Sequence, residues 1–169
     1  IITVMANKLG KRNAFIISTA LSIIGYALKW WGFQPGNPWM MFLPIPFIAF
    51  GLGGLFTLMM SMTADVCDLD ELRNGMPRKE GTFGAIYWWM VKLGQGLALV
   101  LGGLVLKVVG FDQNVSIQSA STITNLRLAD IIIPVVTAAL AIWVMWNYDL
   151  SEDKAKEIKA ELINRRGEL

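Results

Sequence analysis

Lys92 lies well inside a long apolar run, where a charged side chain is costly and is therefore more often functional than decorative. Trp88, Trp89 and Gln95 lie three or four residues from it and would share its helical face. Such a face offers a cation, an amide and two indole rings, which can bind hydroxyl groups and stack on a sugar ring. We therefore predict a site for a hydroxyl-rich ligand. The alternative is a structural pair between Lys92 and an acid on a neighbouring helix.

Phe56 belongs to the preceding apolar run and could form a second aromatic wall of the same site. It lies nine residues before Asp65, hence roughly 13 Å from the membrane boundary by helical rise, close to the depth of Lys92. A phenylalanine packed in the protein core is the simpler interpretation of this residue.

A densely charged segment, 64–79, lies between these two apolar runs. Its acids could form a salt-bridge network with nearby basic residues, and such a network can bias an equilibrium between two conformations. The candidate residues of this gate are Asp65, Asp68, Glu71, Arg73, Arg78 and Glu80. A solvated charged loop is the default interpretation. A divalent-cation site is a weaker alternative, because the spacing of the acids matches no calcium-binding loop.

The composition indicates an integral membrane protein. Of the 169 residues, 54% are hydrophobic and 17% are charged, and the mean hydropathy is +0.50. Soluble domains carry about 25% charged residues. One cysteine and no histidine exclude an intrachain disulfide and leave a zinc site, or a Ser–His or Cys–His pair, without its residues. We therefore expect no enzyme and no metal site, and the scattered basic residues predict no nucleic-acid partner.

Hydropathy predicts an all-α fold, a polytopic transmembrane helix bundle with four spans at about 14–33, 39–63, 82–110 and 126–148. Residues 1–150 would form this partial bundle, and residues 151–169 a tail helix. Pro44 and Pro46 would kink the second span. Gly51, Gly53 and Gly54 favour close packing against another helix, with bending of a flexible helix as the alternative.

Two charged features lie near the ends of these spans. Lys29 can extend to the membrane interface beside Trp30 and Trp31. Arg127 and Asp130, at the entrance of the fourth span, are expected to form an exposed pair with each other.

The tail predicts a short amphipathic helix. Ala155, Ile158 and Leu162 form a narrow apolar stripe, which would lie on the membrane surface or against the charged loops. The basic residues of the turn 7–13, of segment 64–79 and of the tail would all lie on one side, whereas the opposite loops contain Arg127 alone. The positive-inside rule then predicts that both ends of the chain are cytoplasmic and that the protein lies in the plasma (cytoplasmic) membrane.

A resemblance to a known family is carried by the run ADVCDLDELRNGMPRKEGTFGAIYWWMVKLGQG, which begins at Ala64. It resembles the segment between helices ten and eleven of the glycoside–pentoside–hexuronide:cation symporters, the melibiose-permease-like branch of the major facilitator superfamily. The shared pattern consists of Ala64, Asp65, Asp68, Glu71, Arg78, Glu80, Gly81 and Lys92. NKLGKR and YDLSEDKAKEIKAEL also resemble that family, so the resemblance covers nearly the whole chain as helices nine to twelve.

The resemblance implies a twelve-helix transporter that takes up a sugar or glycoside with Na⁺, H⁺ or Li⁺ by alternating access. It implies that Lys92 lies near the cation and sugar sites and that Phe56 can face the sugar. The coupling ion would be bound mainly by the N-terminal half, so no cofactor is expected here. The expected partners are the sugar, the lipid bilayer and the remaining N-terminal helices, because the chain begins at Ile1 and is interpreted as a C-terminal fragment.

Two other functions remain open at this stage. Relatives of this family carry lysophospholipids, so the chain could belong to a transporter of a lysolipid or another amphiphile. It could also be a structural membrane subunit that transports nothing, in which case Lys92 would be paired within a static interface.

Overall fold

The computed structural model describes residues 1–34, 36–75 and 78–167. Within these ranges it contains α1 (Ile2–Leu9), α2 (Lys11–Gly32), a short 3₁₀ helix (Pro38–Phe42), α3 (Ile45–Asn74), α4 (Glu80–Val108), α5 (Ala120–Trp146) and α6 (Glu152–Gly167). Residues 76–77 of the charged segment and the last two residues of the predicted tail lie outside the described residues.

Four of these helices, α2 to α5, are long and apolar enough to cross a membrane. The predicted all-α membrane bundle is therefore confirmed. The 30 residues of α3 correspond to about 45 Å, whereas the hydrocarbon layer of a bilayer is about 30 Å thick. One end of α3 can therefore extend well beyond the hydrocarbon layer.

Helix α2 lies at the centre of the bundle and runs antiparallel to both α3 and α5. Near its first turn, Lys11 contacts Asp65 of α3, and near its last turn Gly32 lies beside Pro44, just before α3 begins. On the α5 side, Arg12 contacts the backbone oxygen of Tyr148, beyond the end of that helix. The α1–α2 turn, the C-terminal part of α3 from Asp65 onward, and α6 thus form one end of the bundle, which we call the charged end.

Close packing between α2 and α3 depends on residues that lack large side chains. Ser18 is fully buried and Ser22 nearly so, and both lie against Gly51. A Cβ atom added at Gly51 would lie 2.9 Å from the backbone oxygen of Ser18, and one at Gly54 would lie 2.7 Å from the Cβ of Ser18. Small residues let two helix backbones approach closely, so the packing interpretation is confirmed for Gly51 and Gly54. Gly53 makes only ordinary contact, 3.5 Å from Ile2.

The apolar core lies next to these small residues, toward the charged end. Its buried members come from α1, α2, α3 and α5, namely Ala6, Ala14, Phe15, Leu58, Met62 and Met145. By contrast, none of the described residues of α4 is buried. Four helices therefore share one core, and α4 lies at its margin.

The start of α3 differs from the sequence-based prediction. Pro44 is the N-cap of α3 and Pro46 lies in its first turn, preceded by the 3₁₀ helix. A proline in the first turn loses no hydrogen bond, since the first backbone N–H groups of a helix have no partner within it. The candidate membrane segment runs from Pro38 to Asn74, so the span predicted from residue 39 and its interruption at Pro44 are confirmed. The interruption is the change from the 3₁₀ helix to α3, and the prolines do not kink α3 itself.

The C-terminal end of α3 and the N-terminal end of α5 also differ from the predicted spans. Helix α3 continues through Asp65 and Glu71 to Asn74, where Gly75, at a φ of 79°, ends it. The predicted loop is thus helical over most of its length, because hydropathy marks where a membrane ends and not where a helix ends. Helix α5 begins at residue 120, earlier than expected, because the side chain of Ser119 accepts a hydrogen bond from the backbone of Thr122.

Substitution of Gly51 by alanine is expected to destabilise the protein, whereas substitution of Gly53 is not. Both changes replace glycine by alanine inside a helix, so both gain the same helix propensity. The difference between their effects on the free energy of unfolding therefore reports the contact of Gly51 with α2. Overpacking of this kind costs about 1–3 kcal/mol, measured as the free energy of unfolding in detergent. Equal stability of Gly51→Ala and Gly53→Ala would show that the α2–α3 contact is looser than described.

Candidate functional site

Three acids lie on one face of α3 at the charged end. Asp65, Asp68 and Glu71 follow one another at intervals of three residues and are only 4%, 5% and 3% exposed. We call these three residues the acidic face. The prediction that they share a helical face is confirmed, but the default interpretation of a solvated loop is wrong. The face is helical and covered, and a buried carboxylate requires a partner.

Asp65 is paired with two lysines from distant parts of the chain. The Nζ of Lys11, at the start of α2, lies 2.5 Å from Oδ2, and the Nζ of Lys159, on α6, lies 3.4 Å from Oδ1. Burial, together with the nearby charge of Asp65, raises the pKa of the Tyr148 phenol to about 12. That phenol therefore stays neutral at physiological pH and adds no second negative charge beside Asp65.

Asp68 connects α3 to α4 through an arginine. An Nη atom of Arg78 lies 3.1 Å from Asp68 and 2.8 Å from Glu80, which opens α4. Lys79 makes a parallel contact of 3.1 Å with Asp70. Because α4 has no buried residue among those described, these ion pairs are a substantial part of its attachment to α3.

Glu71 is bound by Arg166 near the end of α6. One Nη atom of the guanidinium donates to both carboxylate oxygens at 2.8 and 2.9 Å, and Nε donates to Oε1 at 3.3 Å. Hydrogen bonds between two charged groups are among the stronger ones in proteins. Hydrogen bonds with Glu71, and its charge, raise the pKa of Arg166 above its ordinary value. The adjacent Arg165 donates to the backbone oxygen of Leu72 at 3.2 Å, and this oxygen belongs to the last turn of α3, where carbonyl groups lack helical partners.

The predicted gate residues therefore separate into two groups. Asp65, Asp68, Glu71, Arg78 and Glu80 take part in ion pairs, and the first three are buried. Arg73 points away from the acidic face and is exposed, with no ion pair among the described residues.

Sequence reasoning did not assign three of the cations that neutralise the acidic face. These are Lys11, Lys159 and Arg166. The sequence contained a signal for Lys159 and Arg166, namely their position next to the apolar stripe of the tail. Lys159 follows Ile158 directly, and Arg166 lies four residues after Leu162 on the same helical face. The residues of the stripe are the ones that α6 buries, so these cations border the docked face of the helix.

A separate cluster joins α2 to α5 at the opposite end of the bundle. Lys29 pairs with Asp130 at 2.8 Å, and Arg127 donates to the backbone oxygen of Trp30 while lying 4.5 Å from its ring. The expectation of a pair between Arg127 and Asp130 was therefore wrong. Each side chain instead binds across to α2, since the antiparallel packing brings the end of α2 beside the start of α5.

The predicted ligand-binding residues all lie at the surface of the described chain. Trp88 and Trp89 are 50% and 63% exposed, and Lys92 and Gln95 are exposed beside them on α4. Phe56 of α3 is 44% exposed, which does not favour a core role. Lys92 has no ion pair with any described acid. This surface can bind a ligand or pack against further helices, so its role stays a prediction.

One cavity formed by the described residues lies elsewhere. It has a volume of about 520 Å³ and is located between the α1–α2 turn and the start of α6. Basic side chains such as Lys8 and Arg12 line it together with Asp149 and Glu152, so charges of both signs face it. It includes none of the predicted ligand-binding residues, and its position favours a role in packing at the charged end.

Comparison with known proteins shows a match between residues 1–152 and the family described as MFS/sugar transport protein. The chain is 29% identical over 167 residues to the glucuronide carrier protein homolog of Escherichia coli (strain K12), covering 96% of this chain and 35% of that protein. It is 26% identical over 151 residues to the isoprimeverose transporter of Lactiplantibacillus pentosus, covering 89% and 31%.

A third relative differs in its cargo. The sodium-dependent lysophosphatidylcholine symporter 1-A of Danio rerio is 30% identical over 104 residues, covering 61% of this chain and 20% of that protein. No solved structure matches the chain. The chain spans about a third of the length, or less, of these curated relatives.

Substitution of Glu71 by glutamine is expected to destabilise the protein by about 1.5–3 kcal/mol, the range for a hydrogen bond to a charged group. Glu161 is the matched control, because it also pairs with a neighbouring arginine but its side chain is 55% exposed, against 2% for Glu71. An exposed pair on one helix contributes about 0.3–0.5 kcal/mol. Denaturant unfolding in detergent measures both, and equal effects of Glu71→Gln and Glu161→Gln would contradict the burial argument.

Proposed function

The chain belongs to the MFS/sugar transport protein family, and from this premise we propose that it is part of a secondary active transporter for a sugar or glycoside. Transport would be coupled to Na⁺ or H⁺ and would proceed by alternating access, in which two groups of helices rock around a central site. The observation that carries the proposal is the family match over residues 1–152, supported by relatives named as carriers of a glucuronide and of isoprimeverose.

The exposed face of α4 is the proposed contribution of this chain to the transport pathway. Lys92 lies twelve residues after Glu80, or about 18 Å along the helix, which is near the middle of a bilayer. A lysine at this depth is favoured where it faces other protein or a water-filled cavity. We assign Lys92 and Gln95 to hydrogen bonding with ligand hydroxyl groups, and Trp88, Trp89 and Phe56 to stacking on the ring.

The rest of the transporter would complete the binding site to which the face of α4 contributes. The remaining helices are proposed to provide most of the sugar contacts and the acids that bind the coupling ion. This division agrees with the small share of the relatives' length that the chain covers. The exposed apolar surface of α4 would then pack against those helices and close the pathway.

The orientation in the membrane is proposed from charge. The charged end carries the basic residues of the α1–α2 turn, of residues 78–79 and of α6, so the positive-inside rule assigns it to the cytoplasm. The protein would lie in the plasma (cytoplasmic) membrane with both ends of the chain in the cytoplasm. The length of α3 allows Asp65 and Glu71 to lie outside the hydrocarbon layer, as a charged end in the cytoplasm requires.

The acidic face and its partners are proposed to form the cytoplasmic gate. Arg78 bridges Asp68 on α3 and Glu80 on α4, so a movement of α4 relative to α3 would change this contact first. Exposed ion pairs contribute little singly, but a network with buried acids can favour one of two states by a few kcal/mol. The gate would therefore control the rate of conformational exchange more than substrate affinity.

A transporter of a lysolipid or another amphiphile is the second candidate. The relative named as a lysophosphatidylcholine symporter favours it, because transport of an amphiphile also fits the exposed apolar side chains of α4. The polar and aromatic face around Lys92 favours the sugar. Uptake assays with the complete protein distinguish the two, using a panel of glycosides and a lysophospholipid, with and without a Na⁺ or proton gradient.

Substitution of Lys92 by alanine in the complete protein is expected to abolish gradient-driven accumulation of the sugar, because the site loses its cation. Uptake of the labelled sugar into vesicles and the amount of protein in the membrane are the two measurements. Insertion should remain normal, since Lys92 is exposed and its removal creates no cavity in the core.

Lys107→Ala is the matched control for this change. Lys107 lies in the last turn of the same helix, near the opposite end of the bundle, and uptake should stay close to that of the unmodified protein. Full accumulation with Lys92→Ala would exclude Lys92 from the pathway and favour the structural-subunit interpretation.

Substitution of Arg78 by glutamine is expected to lower the maximum uptake rate several-fold while changing the half-saturating substrate concentration by less than about twofold. The physical reason is that the Asp68–Arg78–Glu80 bridge lies at the charged end, about 20 Å from Lys92 by helical rise. Concentration-dependent initial rates separate the two parameters, with Lys154→Gln as a control for the loss of a basic residue at the same end. A change confined to the half-saturating concentration would argue against a gate.

A further inference from the structure

We propose that α6 is an ionic latch on α3, in which Lys159 and Arg166 position the acids of the gate and can release them. This inference rests on the proposed transport function for its effect on rate, but the docking of α6 can be tested without transport. Lys159 binds Asp65, and Arg166 binds Glu71. Both cations act through these acids and are positioning residues, with no contact to the predicted ligand face.

The register of the contacts shows that α6 lies parallel to the final turns of α3. Lys159 and Asp65 are 94 residues apart, Arg166 and Glu71 are 95 apart, and Arg165 and Leu72 are 93 apart. A nearly constant separation over two turns requires the helices to run side by side in the same direction. The latch is thus one continuous contact and not a set of unrelated ion pairs.

Burial is unequal across each of these ion pairs. The side chains of Asp65 and Glu71 are 4% and 2% exposed, whereas those of Lys159 and Arg166 are 52% and 49% exposed. A half-exposed cation can leave its partner for water at a small cost, but a buried acid left without a cation is strongly unfavourable. When α6 leaves, Asp65 keeps its pair with Lys11, whereas Glu71 loses Arg166. The latch can therefore open only if another cation, or water admitted by movement of the gate, satisfies Glu71.

The remaining contacts of α6 are few enough to permit release. The described part of the helix buries only Ala155, Ile158 and Leu162, and the rest of its surface is mostly polar, with Ala160 and Ile163 exposed to solvent. A stripe of three residues, one of them alanine, gives a limited hydrophobic contribution. Docking then depends on the ion pairs, and salt should weaken it because their cations are accessible to solvent.

A thiol introduced on the docked face of α6 reports directly on the latch. Ala155→Cys, in a protein whose single cysteine is removed by Cys67→Ala, carries a thiol that is buried while α6 is docked. Ala160→Cys in the same background is the matched control, because residue 160 is exposed on the same helix. The labelling rate with a water-soluble maleimide is measured on the complete protein in detergent.

Loss of Arg166 is expected to raise the labelling rate of the Ala155→Cys protein about tenfold or more, and loss of Lys159 to raise it less, because Asp65 keeps its pair with Lys11. Arg166→Gln and Lys159→Gln are the test variants, and Lys156→Gln is the control that removes a lysine unpaired with the acidic face. Raising the salt concentration from 0.1 to 1 M should also speed labelling. The rate for Ala160→Cys should stay constant throughout.

A charge exchange tests the specific pair. Glu71→Arg and Arg166→Glu should each expose the introduced thiol, and the double variant should restore its protection. Fast labelling of Ala155→Cys in the otherwise unmodified protein, or a rate unaffected by Arg166→Gln, Lys159→Gln and salt, would overturn the latch.

Uptake measurements separate this inference from the proposed function. If the protein transports a sugar, Arg166→Gln should change the maximum rate several-fold and leave the half-saturating concentration within about twofold, and Arg166→Lys should restore part of the rate. An unchanged rate despite increased labelling would overturn the positioning role. If no sugar is transported by the unmodified protein, the proposed function fails, while the labelling results still decide whether α6 is a latch.

Discussion

Close contact between α2 and α3 is the constraint on which the rest of the structure depends. Gly51 and Gly54 lie directly against Ser18, so the two backbones approach as near as their side chains allow. Tight packing of this kind defines one register, since a shift along the helix axis would bring a larger residue into the contact. The same register brings Lys11 to Asp65 and the end of α2 to the start of α3.

The charged end follows from that register and from the length of α3. The helix continues beyond its apolar part, and its buried acids are neutralised by cations from α2, from the connection to α4 and from α6. Asp65 thereby ties both α2 and α6 to α3, Asp68 ties the connection to α4, and Glu71 ties α6 a second time. The opposite end uses another arrangement, in which Lys29 and Arg127 join α2 to α5. Helices α2 and α5 are thus joined by polar contacts at both of their ends. Helix α4 is attached mainly by ion pairs and carries the proposed ligand face.

Much of the fold could be predicted from local sequence patterns. Four apolar runs predicted four long helices, and the stripe of Ala155, Ile158 and Leu162 predicted the buried face of the tail helix. The predictions failed where a local signal had two meanings. Pro44 and Pro46 can kink a helix or begin one, and the charged residues after position 63 mark the end of an apolar run without ending the helix.

The sequence by itself determined the class of the protein, its number of long apolar helices and the spacing of the acids on one helical face. These properties depend on hydropathy and on helical periodicity, which are set by residues close together in the chain. Only the tertiary structure decided that the acids are buried and which cations bind them. The partners of Asp65 and Glu71 come from positions 54, 94 and 95 residues away, and no local pattern specifies such a pairing. It arises because packing of α2 and α6 against α3 removes the acids from water and leaves each one in need of a nearby positive charge.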